Sequence, residues 1–293
     1  MKLALFGKSM TDEKAAFLQQ FINKMTDDGI AFTFYEKFWA EVRLLLGDSR
    51  EVETFQNHDA LMQANADYFL SIGGDGTMLD SITLVRDSGI PLLGINIGRL
   101  GFLSSVPQEM ALQALDELKQ GKFSKEKRTL LKVNTSGGVF ADMNYALNEL
   151  TIHKSEAHSM LKVKVDVDGS YLNTYWADGL LIATPTGSTA YSMSCGGPIL
   201  TPDASNFIIT PIASHNLTVR PVVIPDDSEI TLEVLGRSHQ YYLGLDSRYV
   251  SMEKPEKIRI GKENFKVNFV KLQNEGFFDT IRKKLNWGLD NRN

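Results

Sequence analysis

Short apolar runs alternate with amphipathic stretches through the first part of the chain. Residues 2–7 (KLALFG) and 30–35 (IAFTFY) read as strands. Between them Phe17, Leu18, Phe21, Ile22 and Met25 recur at the spacing that builds one apolar helix face over 11–28. A further helical stretch covers 58–66, followed by the apolar run 68–72, a helix to 88, a strand over 90–96 and a helix over 108–120. Strands alternating with helices predict a parallel sheet with helices on its faces. Residues 121–127, a glycine followed by Lys- and Glu-rich sequence, read as a linker. Beyond it strand follows strand: 130–134, 145–153, 160–167, 171–176, 180–184, 208–213, 222–224, 230–235 and 240–245. In LKVKVDVDG, Val163, Val165 and Val167 share one face and Lys162, Lys164 and Asp166 the other, with Asp168 and Gly169 as the hairpin turn. The expected fold is an α/β N-terminal domain over 1–123 and a mainly antiparallel β domain over 124–272. A tail, 273–293, returns a helix (277–287) to the first domain, with Arg282, Lys283 and Lys284 on its solvated face.

Gly73, Gly74, Asp75, Gly76 and Thr77 stand directly between the apolar run 68–72 and the helix that follows. Glycines fold tightly and let a phosphate come within contact distance of the backbone, because no Cβ intervenes. Consecutive N–H groups there form an anion nest, and the helix adds its positive N-terminal dipole. A bound phosphate repels a spectator carboxylate, so Asp75 reads as a base or as a contact to a hydroxyl or to Mg²⁺. The plainer alternative is that Asp75 caps the helix, in which case Asn would serve nearly as well.

A longer block, 178–200, reads DGLLIATPTGSTAYSMSCGGPIL. Together with GGDGT it resembles the NAD kinase family, as do Asn148 and Glu149 within ALNEL, the glycine loop INIGRLGFL at 95–103, and the stretch 278–288. The resemblance implies an ATP-dependent kinase that phosphorylates NAD at the 2′-hydroxyl of its adenosine ribose, giving NADP, with Mg²⁺ brought by the ATP. It implies that Asp75 is the general base or aligns the acceptor hydroxyl, and that Gly74 and Gly76 hold diphosphate oxygens. Asn148 and Glu149 would then contact sugar and base groups of the dinucleotide. Asp178, Thr186, Thr189, Ala190 and Ser194 would line the rest of the pocket, and Tyr191 would stack on adenine. The resemblance also implies a homodimer or homotetramer. Neighbouring strand residues point to opposite faces, so Asn148 and Glu149 reach one ligand only where the strand ends or bends. Trp176 departs from the family pattern, since many members have Arg there; an indole stacks but neither neutralises a phosphate nor forks onto a carboxylate.

Composition narrows the partners. A net charge of −5 over 293 residues argues against a nucleic-acid binder, which would carry a basic footprint. The sequence contains no run of about 18 apolar residues and opens directly on a strand, so the chain is read as cytoplasmic and not membrane-bound. The single cysteine, Cys195, excludes an intramolecular disulfide and a multi-cysteine zinc site, and the five histidines show no i, i+4 pair. Two other functions fit parts of the pattern. A lipid kinase of the diacylglycerol or sphingosine type shares a glycine–Asp–glycine loop but needs an apolar mouth, whereas TPTGSTAYS is polar. A silent dinucleotide sensor would not need Asp75 and Glu149.

Overall fold

The buried apolar runs of the first part assemble into a parallel sheet in the order Thr54–Phe55, Ala31–Tyr35, Lys2–Gly7, Tyr68–Ile72 and Leu92–Asn96. Val106–Pro107 and the end of Lys257–Leu272 both pair in parallel with Leu92–Asn96. Leu3, Leu5 and Leu70 face one side and Ala4, Phe69 and Leu92 the other, and all are fully buried. Burial on both faces is what helices on the two sides of a parallel sheet produce. The computed structural model describes residues 1–8, 10–98, 101–156, 160–235, 240–253, 256–272 and 276–287. Arg99 and Leu100 of the expected glycine loop, His158, His239 and Gly288 lie outside the described residues.

Residues 1–127 and 267–293 form one unit and residues 128–266 a second. The helices of the first unit are Ala15–Asp27, Glu36–Leu46, His58–Gln63, Asp75–Val85, Ala111–Lys119 and Phe277–Leu285. Ala15–Asp27 buries Phe17, Leu18, Phe21, Ile22 and Met25, the five positions its periodicity marks. The pattern reading has no element between 35 and 58, yet Glu36–Leu46 is a helix that buries Phe38, Trp39 and Val42. The expected irregular linker at 121–127 is corrected as well. A strand, Phe123–Asn134, starts there, and its first six residues are exposed or half-buried, so no alternation of apolar positions announces it.

The second unit packs two antiparallel sheets through one core. One sheet holds Ser170–Ala177, Leu161–Val167, Ile230–Leu235 and the first part of Lys257–Leu272. The other runs Val222–Pro225, Asn206–Ile212, Gly179–Ala183, Glu149–Lys154, Tyr241–Leu245 and Arg248–Met252. Leu161, Val163 and Val165 pack with Leu180, Ile182 and Phe207 in the shared core, while Lys162 and Lys164 turn outward, as their alternation demands. Asp168 and Gly169 have φ of 50° and 76°, the positive pair that a tight hairpin turn of this hand requires. The strand expected over 145–153 is two strands, Tyr145–Ala146 and Glu149–Lys154, with a bend at Leu147 and Asn148 between them. Among the described residues no helix is long and apolar enough to cross a membrane.

Candidate active site

The glycine turn of the first unit follows the carboxyl end of Tyr68–Ile72. Gly73 N–H donates to Ile95 O at 2.9 Å, which ties the turn to the end of the neighbouring strand. The helix begins at Asp75, with Gly74 as N-cap and no side-chain capping bond, so Asp75 is not a cap. Its carboxylate accepts three consecutive backbone N–H groups instead: Phe102 at 2.7 Å on Oδ2, and Leu103 and Ser104 at 3.0 Å on Oδ1. A carboxylate offers about four lone-pair directions, and donors among the described residues take three, which leaves one on Oδ2. Gly101 passes so close that a Cβ there would fall 1.7 Å from Asp75 Oδ1, whereas a Cβ at Gly74 or Gly76 would meet nothing within 4 Å among the described residues beyond its own turn. Crowding by the chain therefore explains the glycine at 101. The open space at 74 and 76 leaves the backbone accessible to a ligand. Lys284, expected on a solvated face, is half-buried with its ammonium 5.4 Å from the centre of the Phe102 ring.

In the second unit the bend before Glu149 brings Asn148 and Glu149 together with the hydroxyl-rich turn. Thr184 N–H donates to Asn148 O at 2.8 Å, and the Thr184 hydroxyl donates to Leu147 O. The turn itself is a short helical stretch, Thr186–Thr189, followed by Tyr191–Ser194. Thr186 is buried and accepts from Arg128 Nη1 at 3.3 Å; the Thr189 hydroxyl donates to Thr186 O at 3.2 Å. Ala190 joins the two stretches, and Tyr191 and Ser194 are exposed at the ends of the second. Gly187 lies against the bend, where a Cβ would stand 2.2 Å from Asn148 O. Both sides of that contact are backbone and neither can yield cheaply. Gly187→Ala should lower stability by about 3 kcal/mol, an overpacking cost at the upper end of the usual range. Chemical denaturation measures it, and an unchanged midpoint would contradict the packing described.

Asn148 and Glu149 are nearly buried, and Asn148 Oδ1 and Glu149 Oε2 have no hydrogen-bond partner among the described residues. Burial pushes the Glu149 carboxyl up to about 8; the neighbouring Asp246 carboxylate adds to the shift and the Tyr191 N–H opposes it. In the unfolded chain Glu149 ionises near 4.5. Between those values the folded protein keeps a proton that the unfolded chain has lost, so this group's contribution to stability falls as pH rises from 4.5 to about 8. Glu149→Gln removes that dependence. Its melting temperature should match wild type near pH 4 and exceed it increasingly toward pH 8; a difference independent of pH would contradict the buried, protonated carboxyl.

Asp178 is held by Lys154, Nζ to Oδ1 at 2.7 Å. Trp176 is partly exposed with Lys162 Nζ 5.0 Å from its ring centre, so a cation stands at this position although the residue itself carries none. Cys195 packs beside Leu181, Ala183, Ile208 and Ile212, and burial raises its thiol above the ordinary range, the setting of an inert packing residue. Among the described residues no three His, Cys, Asp or Glu side chains converge as a metal site. Gly101 stood in the sequence only as part of the glycine loop 95–103, and Asp246 carried no signal at all. Gly101 and Asp246 act on residues far away in the chain, and no spacing rule links them to Asp75 or Glu149.

The first unit thus offers a glycine turn carrying a carboxylate at a parallel strand's end, and the second a hydroxyl-rich turn beside Asn148 and Glu149, and both turns fall within the parts of the chain that match known nucleotide phosphotransferases. Residues 8–123 match the family model of the ATP-NAD kinase N-terminal domain and 147–272 that of the C-terminal domain. The chain is 43% identical over 296 residues to an NAD kinase of Cytophaga hutchinsonii and 39% identical over 295 residues to one of Bacteroides fragilis, covering all of both chains in each case. Among solved structures it resembles yeast NADH kinase complexed with NADH, with a TM-score of 0.85 at 20% identity over 99% of this chain and 88% of that one. It also resembles an NAD kinase from Archaeoglobus fulgidus in complex with ATP, with a TM-score of 0.73 at 23% identity over 98% and 99% of the two chains. The chain belongs to the ATP-NAD kinase family. It is an enzyme that phosphorylates NAD to NADP at the expense of ATP.

Proposed function

We propose that the acceptor is the 2′-hydroxyl of the adenosine ribose of NAD, that MgATP is the donor, and that Asp75 aligns the hydroxyl and takes its proton as the new P–O bond forms. The observation that carries this reading is the Asp75 carboxylate itself. Three N–H groups fix its plane and leave one lone pair on Oδ2 for a single, directed hydrogen bond. The backbone of Gly74 and Gly76 and the helix N-terminus at Asp75 hold diphosphate oxygens where a side chain would otherwise intrude. The cation arrives on the ATP and neutralises charge that develops on the transferred group.

In the second unit Asn148 and Glu149 receive polar groups of the dinucleotide. Near neutral pH Glu149 carries its proton, so it donates a hydrogen bond where Asn148 Oδ1 accepts one. Asp178, Thr186, Thr189, Ala190 and Ser194 complete the polar lining, and the exposed ring of Tyr191 stacks on adenine. The family resemblance supports self-association as a homodimer or homotetramer, which light scattering reads directly. The activity is tested by incubating the protein with NAD, ATP and Mg²⁺ and following NADP with an NADP-specific dehydrogenase. NADP and ADP should appear one for one and cease when the cation is chelated. ADP without NADP would contradict the proposal.

A further inference from the structure

We propose that Asp246 is a positioning residue for the dinucleotide, clamping the bend at Leu147–Glu149 so that the side chains of Asn148 and Glu149 are free for the ligand. The inference rests on the reading that those two side chains contact NAD.

Asp246 is half-buried and sits in the turn between Tyr241–Leu245 and Arg248–Met252, with φ of 52°, in the left-handed region that non-glycine residues rarely adopt. Its carboxylate accepts Leu147 N–H on Oδ2 at 2.9 Å, and Asn148 and Glu149 N–H on Oδ1 at 2.8 and 3.2 Å. Its own N–H donates to Glu149 O at 3.1 Å. Two residues on, the Arg248 guanidinium donates to Met143 O and Tyr145 O and lies 5.7 Å from the centre of the Tyr145 ring. Thr184 takes the remaining carbonyls of the bend, those of Leu147 and Asn148.

Every backbone N–H and C=O from Leu147 to Glu149 is thus occupied within the chain. A strand ladder would satisfy the same groups only by running straight, and a straight strand would send the two side chains to opposite faces. The carboxylate replaces the ladder at this point. What stays unpartnered among the described residues is side-chain chemistry, Asn148 Oδ1 and Glu149 Oε2. Nearly buried polar atoms without partners are costly unless a ligand completes them, and here the cost is held in one place by one carboxylate.

Asp246→Asn keeps the size of the side chain but turns an NH₂ group toward one of the three N–H donors. The Michaelis constant for NAD and its dissociation constant, by calorimetry, should both rise about tenfold, the effect of one unsatisfied buried donor, while kcat falls by less. A residue that merely supports the fold would lower the melting temperature and leave the NAD constants of the folded enzyme unchanged, and that result overturns the proposal. Asp246→Glu, which keeps the negative charge but carries the carboxylate one methylene further out, away from the three N–H groups of the bend, gives the same readout should Asp246→Asn not fold. It too should weaken NAD binding more than turnover, and normal NAD constants overturn the clamp. Wild-type protein that binds NAD alongside variants that bind it equally well defeats the inference alone. Wild-type protein that does not bind NAD defeats the underlying reading with it.

Discussion

Asp75→Asn should lower turnover about 10²- to 10⁴-fold, the usual contribution of a positioned base and equivalent to roughly 3 to 5 kcal/mol of barrier. An amide does not take the proton of an acceptor hydroxyl. It also fits the loop poorly, because the carboxylate accepts Phe102, Leu103 and Ser104 N–H with both oxygens. An amide offers one oxygen, and its NH₂ must face at least one N–H donor. The variant should therefore lose about 1 to 3 kcal/mol of stability as well. A helix cap predicts the opposite pair of results, turnover preserved and melting nearly unchanged, since Asn caps about as well as Asp. Steady-state kinetics and thermal melting on the one variant separate the two, and near-normal turnover would remove the base assignment.

Gly101→Ala should be nearly as damaging with the carboxylate still present. The added methyl would stand 1.7 Å from Asp75 Oδ1 and 2.4 Å from its Cγ. Either Asp75 turns away and gives up three hydrogen bonds, or the segment 101–104 moves off the helix start. Each outcome misplaces the one lone pair available to the acceptor, and a misplacement of about 1 Å can cost on the order of 10²-fold in rate. Turnover should fall by about that factor, with melting lowered as in Asp75→Asn. A variant with wild-type kinetics would show that the contact between Gly101 and Asp75 has no part in the working enzyme.

The sequence made legible whatever depends on local spacing. Phe17 to Met25 announced a helix face, LKVKVDVDG a half-buried strand and its turn, and GGDGT a strand-to-helix turn. Elements whose signal was weak or interrupted were missed. Phe123–Asn134 begins with exposed charged residues, so it looked like a linker. Lys257–Leu272 carries its alternation as Ile258 and Ile260, then breaks it with Gly261 and the buried Glu263. The candidate site could be named by residue type and not by geometry. That Asp75 holds the loop after Gly101, and that Asp246 holds the bend before Glu149, are bonds from a side chain to backbone many residues away. Backbone donors carry no residue identity, so no motif records them. The break at Leu147 and Asn148 was foreseen only as a condition for both side chains to serve one ligand, and the agent that makes it, Asp246, was invisible.

The position of the transferred phosphate tests the central claim most directly. NAD and MgATP are incubated with the wild-type protein, and the dinucleotide product is isolated and examined by ¹H and ³¹P NMR. Coupling of a new monoester phosphorus to the 2′ proton of the adenosine ribose is the predicted result. A phosphate on the 3′-hydroxyl or on the nicotinamide ribose, or ATP consumed with NAD unchanged, would contradict it.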